Sequence, residues 1–165
     1  MSEKIDLLIA EDDENDVFLL QRAFKESGET VRIAFVNDGQ ELIDALETRA
    51  KLPESRLPSL LVLDLKMPRR TGLDVLEWLR AQPVFGGIPA LIFSSSLRDE
   101  DVERAYSLGA SAFLTKPNST EERVGVARFL ASWVKLNRPP LASTAGIREA
   151  ERMHAMLFPE KKLAP

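Results

Sequence analysis

Five polar residues stand where apolar runs of the sequence end, and their spacing could bring them into one site. Glu11 and Asp12 follow the first run, and Asp64 follows the third. Ser94 follows the fourth run, and Lys116 comes just after the fifth. If the runs are parallel strands, their carboxyl ends lie along one edge of a sheet, where such sheets bind ligands. We therefore predict that acids far apart in the chain meet a hydroxyl and an ammonium group there.

These residue types suit the transfer of a phosphoryl group to a carboxylate. Carboxylate oxygens with few nitrogen ligands favour a hard ion such as Mg²⁺, which keeps several waters and bridges to phosphate. A lysine and a hydroxyl can take up charge on the transferred group. An aspartate can act as the nucleophile and form an acyl phosphate. The pattern thus predicts a magnesium-dependent site with an acidic nucleophile.

Short apolar runs alternate with stretches of helical period, and this alternation predicts the elements that position the site. The predicted strands are Ile5–Ala10, Val31–Val36, Ser59–Leu63, Ala90–Phe93 and Ala112–Leu114. The predicted helices are 14–27, 39–51, 73–81, 99–108 and 119–136. The alternation indicates an α/β fold of the (βα)₅ type, with a doubly wound and mainly parallel sheet.

Turn and capping residues in the sequence agree with these elements. Gly28 stands where the first helix should end, and Asn37-Asp38-Gly39 forms a turn before the second helix. Ser119 and Glu122 have the spacing of a capping box at the start of the fifth helix.

Composition limits the classes of protein to which the chain can belong. It has 165 residues, 44% of them hydrophobic and 29% charged, with a net charge of −4. These values are typical of an ordinary globular domain, and no extended basic patch indicates nucleic-acid binding. The absence of cysteine excludes disulfides and thiol catalysis. The sequence shows no signal peptide and no apolar run long enough to span a membrane, so we expect a cytoplasmic protein.

Four motifs resemble one family, the receiver domains of two-component response regulators. They are Leu7–Asp13, Leu63–Pro68, Pro89–Ser95 and Gly109–Pro117, and they occur in the order and spacing of the family. The resemblance covers about residues 4–136. It implies the flavodoxin-like strand order 2-1-3-4-5. It also implies that a sensor histidine kinase donates the phosphoryl group, and that the chain is a signalling module without turnover of a separate substrate.

The resemblance assigns roles around the metal and the phosphoryl group. Asp64 is the implied phosphoacceptor and binds Mg²⁺ as well. Asp12 is implied to bind the ion directly, and Glu11 through a water molecule. The backbone carbonyl of Lys66 is the remaining implied ligand.

Further roles on the fourth and fifth strands follow from the same resemblance. Ser94 is implied to be the switch hydroxyl and Phe113 the aromatic residue coupled to it. Lys116 is implied to bind the phosphoryl oxygens, with Pro117 in a cis peptide. Phe113 on a strand is also compatible with simple core packing.

A softer resemblance concerns the subfamily. The segment 11–17, Trp133 and the ending Asn137–Pro140 are similar to small single-domain regulators that are paired with bacterial phytochrome kinases. The chain departs from many relatives at Thr71-Gly72, and it has Ser94 where Thr is commoner. Lys66 and Ser96 stand at positions that flank the phosphoryl group.

The same residues are compatible with other assignments. Asp13 and Asp16 are compatible with solvated caps that stabilise the first helix through its dipole. A pseudo-receiver would keep the fold as a binding module without phosphorylation. A haloacid-dehalogenase-like phosphatase is disfavoured, because Lys66 stands two residues after Asp64 and the acceptor strand is the third. Nucleotide-binding glycine motifs are absent from the sequence.

The fifth helix carries apolar residues on two neighbouring stripes, of which one is expected to face the core. The second stripe and the resemblance predict a homodimer through the fourth helix, fifth strand and fifth helix, with a face that includes Tyr106, Phe129, Leu130 and Trp133. We predict a receiver domain over 1–137 and a tail over 138–165 with a short helix at 145–158. The tail is too short for a DNA-binding domain, so we expect signalling to another protein.

Overall fold

In a computed structural model, which describes residues 5–52 and 57–137, five strands alternate with five helices. The strands β1 to β5 are Leu7–Ala10, Ile33–Val36, Leu60–Leu63, Ala90–Ser94 and Ala112–Thr115. The helices α1 to α5 are Glu14–Ser27, Gly39–Lys51, Gly72–Ala81, Asp99–Ser107 and Thr120–Leu136. All strand pairs are parallel, and the sheet order is β2-β1-β3-β4-β5. The predicted (βα)₅ fold and its strand order are confirmed.

The sheet separates two apolar clusters, because successive side chains of a strand point to opposite faces. Leu8 and Ala10 of β1 pack with α2, α3 and α4 on one face. Leu7 and Ile9 pack with α1 and α5 on the other face. The central strands β1, β3 and β4 are buried at every position, whereas the edge strands β2 and β5 are mostly half-buried. This burial on both faces explains the unbroken apolar runs of the central strands.

The helix ends follow the local signals in the sequence. Gly28 ends α1 in the left-handed conformation at φ 72°, which glycine adopts without strain. The side chain of Asp13 caps α1, and that of Asp38 caps α2. Ser119 accepts a hydrogen bond from the backbone N–H of Glu122, but the reciprocal bond from the backbone N–H of Ser119 to the Glu122 side chain is absent, so only half of the predicted capping box forms.

Leu130 corrects the predicted dimer face. Its side chain is fully buried and packs with Ala127, Ala131 and Val134 against the sheet. These positions fall on one side of a helix with 3.6 residues per turn, so Leu130 belongs to the core stripe and its assignment to the outer face is wrong. Phe129, 42% exposed, lies outside that stripe.

The peptide bond before Pro117 is trans, as are the other peptide bonds of the described residues, so the cis prediction is wrong. Both isomers of such a bond lie close in energy, and trans is the lower of the two. The predicted tail, including the helix at 145–158, lies outside the described residues. Within the described segments, no helix has the length and apolar character that crossing a membrane requires.

Candidate active site

The end of β1 supplies two acids in different surroundings. Glu11 is buried, and its backbone N–H donates to the carbonyl of Val36, which continues the pairing of β1 with β2. One of its carboxylate oxygens accepts from the backbone N–H of Asp13 at 3.2 Å. Asp12 is exposed. The pair thus offers one fixed carboxylate and one that reaches solvent.

The end of β3 supplies the third acid. Asp64 is 7% exposed, and its backbone N–H donates to the carbonyl of Ala10 at 3.0 Å, which holds it beside β1. Its Oδ2 accepts from the backbone N–H of Lys66 at 3.3 Å. The chain returns closely at Gly72, where an added Cβ would collide with the backbone carbonyl of Asp64. This close approach accounts for glycine at the start of α3.

The three acids converge as the sequence predicts. Glu11, Asp12 and Asp64 each offer a carboxylate oxygen, and these atoms lie within 4.8 Å of one another. The donor set consists of carboxylate oxygens alone, which suits a hard cation such as Mg²⁺, Mn²⁺ or Ca²⁺. The residues therefore fit the predicted metal.

Lys116, which follows β5, lies among acids. Its backbone N–H donates to the carbonyl of Ser94 at 2.9 Å. Its Nζ atom lies 2.6 Å from Glu11, 2.7 Å from Asp16 and 3.5 Å from Asp64. We call these four residues the Lys116 cluster. Only 11% of the Lys116 side chain is exposed, so its charge is held mainly by these carboxylates.

The electrostatics of the Lys116 cluster show a surplus of acid. Burial raises the pKa of Glu11 from 4.5 to about 7, although the hydrogen bond and the charge of Lys116 oppose this. Burial also raises the pKa of Asp64 above its usual value. Burial lowers the pKa of Lys116, but its hydrogen bonds to Asp16 and Glu11 outweigh that effect, so its pKa lies above the ordinary value. Lys116 is thus charged at neutral pH, while Glu11 is only partly ionised.

The remaining predicted residues lie on the neighbouring strands. Ser94 is 3% exposed at the end of β4, and its Oγ accepts from the backbone N–H of Ser96 at 3.2 Å. Ser96 in turn donates to a carboxylate oxygen of Asp101 on α4 at 2.5 Å. Phe113 is half-buried against the cluster under α2, α3 and α4, and its backbone N–H donates to the hydroxyl of Tyr106 at 3.3 Å. These contacts link the ends of β4 and β5 to α4.

A second ion-pair cluster joins the loop after β3 to the start of α2. Asp38 is 3% exposed and accepts from the backbone N–H groups of Gln40 and Glu41. Arg69, which follows Met67-Pro68, donates to Asp38 at 2.6 Å and approaches Glu41 at 3.4 Å. We call Asp38, Arg69 and Glu41 the Asp38 cluster. Arg69 has a positive φ of 60°, a conformation that is uncommon for a residue other than glycine.

Sequence reasoning missed two parts of this arrangement. Asp16 is one of the acids on Lys116, whereas the sequence suggested only a helix-stabilising role. Its position one helical turn beyond Asp12 was a usable signal, because α1 starts at the same sheet edge. The pairing of Asp38 with Arg69 had no comparable signal, because it depends on the path of the loop after β3.

A model of the response regulator receiver domain matches residues 7–127 of the chain. The chain belongs to the response-regulator receiver family. The strand order and the converging acids of the receiver agree with this membership, which also sets aside the phosphatase reading.

Individual relatives of this receiver are matched over most of their length. The probable methanogenesis regulatory protein FilR2 of Methanothrix harundinacea is 33% identical over 135 residues, which are 81% of this chain and 86% of FilR2. Response regulator Rcp1 of Synechocystis is 26% identical over 137 residues, which are 82% of this chain and 93% of Rcp1.

Solved structures extend the likeness. The Mn²⁺-bound form of Rcp1 has a TM-score of 0.70 and covers 84% of this chain and 99% of its own. The bacteriophytochrome response regulator RtBRR is 28% identical, has a TM-score of 0.65, and covers 99% of this chain and 100% of its own. The receiver is therefore similar to phytochrome-associated response regulators, as the sequence suggested.

Proposed function

We propose that this receiver is a single-domain response regulator of the cytoplasm that accepts a phosphoryl group on Asp64 from a sensor histidine kinase in a Mg²⁺-dependent reaction. One observation carries the proposal. The oxygens of Asp64, Glu11 and Asp12 lie within 4.8 Å of one another, and Lys116 stands 3.5 Å from Asp64. This arrangement pairs a nucleophilic carboxylate with groups that could neutralise an incoming phosphoryl group.

In the proposed step, a carboxylate oxygen of Asp64 attacks the phosphorus of a phosphohistidine. A new O–P bond forms as the N–P bond breaks, and the histidine nitrogen keeps the electron pair. Asp64 reacts as the carboxylate, and Lys116, whose raised pKa keeps it charged, provides positive charge for the phosphoryl oxygens. The chain is altered by the transfer and turns over no separate substrate, so we class it as a phosphoacceptor and not as an enzyme.

Glu11, Asp12, Asp64 and the backbone carbonyl of Lys66 would hold the Mg²⁺ ion. When bound, the ion offsets the repulsion between the acids and the phosphoryl oxygens. The similar regulator Rcp1 has a Mn²⁺-bound form, which supports a divalent cation as a ligand of this receiver.

Signal output is proposed to pass through Ser94 and Phe113. A phosphoryl group on Asp64 would offer Ser94 an acceptor at the end of the neighbouring strand. Ser94 is already linked to α4, because Ser96 donates to Asp101. A change at Ser94 would therefore bias two arrangements of α4 and β5 and alter the surface that a downstream protein contacts.

The surface of α4, β5 and α5 is proposed to form a homodimer. Tyr106 is 51% exposed, and Phe129 lies edge-on to Trp133 with ring centroids 6.1 Å apart. Sedimentation velocity at tens of micromolar should show a dimer that Phe129→Ser weakens. A monomeric wild type under these conditions would contradict the dimer and leave the phosphoacceptor proposal standing.

A bacterial phytochrome is proposed as the kinase. The support is similarity to RtBRR over 99% of this chain and to Rcp1 over 82% of it. The proposal predicts that a phosphorylated phytochrome kinase passes radiolabelled phosphate to this protein faster than an unrelated histidine kinase does. Equal or slower transfer from the phytochrome would contradict it.

The acceptor itself is tested by intact-mass measurement. The protein is incubated with Mg²⁺ and acetyl phosphate beside Asp64→Asn, which keeps the shape but removes the nucleophile. We expect the wild type to gain the mass of one phosphoryl group, the variant to gain none, and EDTA to abolish the gain. If the wild type gains nothing while a known receiver is labelled in parallel, the pseudo-receiver becomes the better assignment.

A further inference from the structure

Lys116 is shared by more acids than the proposed reaction requires. Its ammonium group has three N–H donors, and the acids around it are Glu11, Asp16 and Asp64. Glu11 and Asp64 belong to the proposed metal and phosphoryl site. Asp16 contributes no oxygen to the group of three that could hold the metal. Its contact with Lys116 therefore needs a separate explanation.

Asp16 lies in the first turn of α1, and 31% of its side chain is exposed. Its Oδ2 accepts from Lys116 at 2.7 Å, which is shorter than the 3.5 Å between Lys116 and Asp64. The pair joins residues 100 positions apart. Lys116 thus lies closer to Glu11 and Asp16 than to Asp64, although its proposed role is on Asp64.

We propose that Asp16 is a positioning residue that restrains Lys116, so that it competes with the phosphoryl group for the ammonium and lowers the stability of the phosphorylated receiver. The inference rests on the proposed phosphoacceptor function. It adds a specific residue outside the proposed metal and phosphoryl ligands that tunes how firmly the phosphoryl group is held.

Charge supports competition over simple anchoring. Four carboxylates, those of Glu11, Asp12, Asp16 and Asp64, meet at this edge with Lys116, and a phosphoryl group would bring further negative charge. A cation that is hydrogen-bonded to one carboxylate stabilises a second anion less strongly. Removing the charge of Asp16 would therefore leave Lys116 freer to bind a phosphoryl group.

The test uses beryllofluoride, an anion that binds a carboxylate as a stable mimic of a phosphoryl group. Its affinity for the full chain is measured by ¹⁹F NMR at saturating Mg²⁺, from the intensity of the bound resonance. We expect Asp16→Asn to bind about fivefold more tightly than the wild type, because the lost pair is partly exposed and of moderate strength. Asp16→Glu, which keeps the charge, should bind about as the wild type does.

Glu14→Gln is the matched control, because it removes the same charge from the same turn of α1 at an exposed position. It should change the affinity less than about twofold, since a solvated charge is screened. An unchanged or weakened affinity of Asp16→Asn would overturn the inference, as would an equal gain in Glu14→Gln. Failure of the wild type to bind beryllofluoride would instead count against the proposed function itself.

Discussion

The Lys116 cluster, which includes Asp64, and the Asp38 cluster hold buried charge in opposite ways. In the first, a mostly buried ammonium group is surrounded by three carboxylates. In the second, a buried carboxylate accepts from two backbone N–H groups at the start of α2 and from the guanidinium of Arg69. The first cluster has more carboxylates than cations, whereas the buried carboxylate of the second is fully paired.

The pKa values report this difference. Burial raises the pKa of Glu11 to about 7, because the ionised carboxylate is poorly solvated there. Asp38 is also desolvated, but its backbone hydrogen bonds and Arg69 bring its pKa below the ordinary value. A cluster in which the acids resist ionisation gains from an added cation, whereas a satisfied cluster does not. This difference supports the proposed ligand binding at the Lys116 cluster, whereas Arg69 of the Asp38 cluster ties the loop after β3 to α2.

The largest expected effect is the loss of the Asp38 cluster. Asp38→Ala removes the cap of α2 and leaves Arg69 without its buried partner, so we expect a loss of about 3 kcal/mol in the free energy of unfolding. Urea unfolding measures this. Asp38→Asn keeps a capping oxygen and should lose only about 1 kcal/mol. Equal losses in the two variants would mean that the capping oxygen contributes nothing and that the loss comes from the pairing with Arg69.

The second prediction concerns pH and the Lys116 cluster. Because the pKa of Glu11 is raised from 4.5 to about 7, the folded protein binds more protons than the unfolded chain between these values. Its free energy of unfolding should therefore fall as pH rises from 4.5 to 7, by about 2 kcal/mol without Mg²⁺. Urea titrations at several pH values test this. Glu11→Gln should flatten the slope, and a wild type whose stability rises over this interval would contradict the comparison.

The third prediction concerns competition between Lys116 and the metal. Lys116→Met removes a cation from the carboxylates of Glu11 and Asp64, so Mg²⁺ should bind about tenfold more tightly by calorimetry. Lys135→Met is the control, because that lysine pairs with Glu29 on the surface and is 53% exposed. It should leave the affinity unchanged. Equal affinities of the wild type and Lys116→Met would show that the lysine and the metal do not compete.

The smallest expected effect is at the rim of the Asp38 cluster. Glu41 lies 3.4 Å from Arg69, and both side chains are exposed. Glu41→Gln should change the free energy of unfolding by less than about 0.5 kcal/mol, because exposed ion pairs contribute little. Thermal and urea unfolding should agree on this. A loss as large as that of Asp38→Asn would mean that Glu41 is part of the support.

Sequence patterns predicted the elements well because their signals are local. The ranges of α1 and α2 were predicted to the residue, since Asp13, Gly28 and Asp38 mark their ends directly. The first strand was predicted two residues too long, because Ile5 is apolar while Asp6 is held by Arg32. The burial of Asp64 and Glu11 follows from their place at the ends of central strands.

The rest depended on distances between elements that the sequence does not record. The contact of Asp16 with Lys116 requires the angle between α1 and the sheet. The burial of Leu130 requires the rotation of α5 about its axis, and an apolar residue between two stripes fits either one. The link between Asp38 and Arg69 requires the path of the loop after β3, in which Arg69 adopts a positive φ.

The close approach of Gly72 to the carbonyl of Asp64 limits the length of the loop after β3. The loop after β3 leaves Asp64 and comes back to touch it, and on the way Arg70 accepts from the backbone N–H of Gly39 through its carbonyl. Because these contacts hold the loop at two points, an inserted residue would break one of them. Fusion points, affinity tags and reporter peptides therefore belong at other loops, such as the one near Gly87, where an added side chain meets open space.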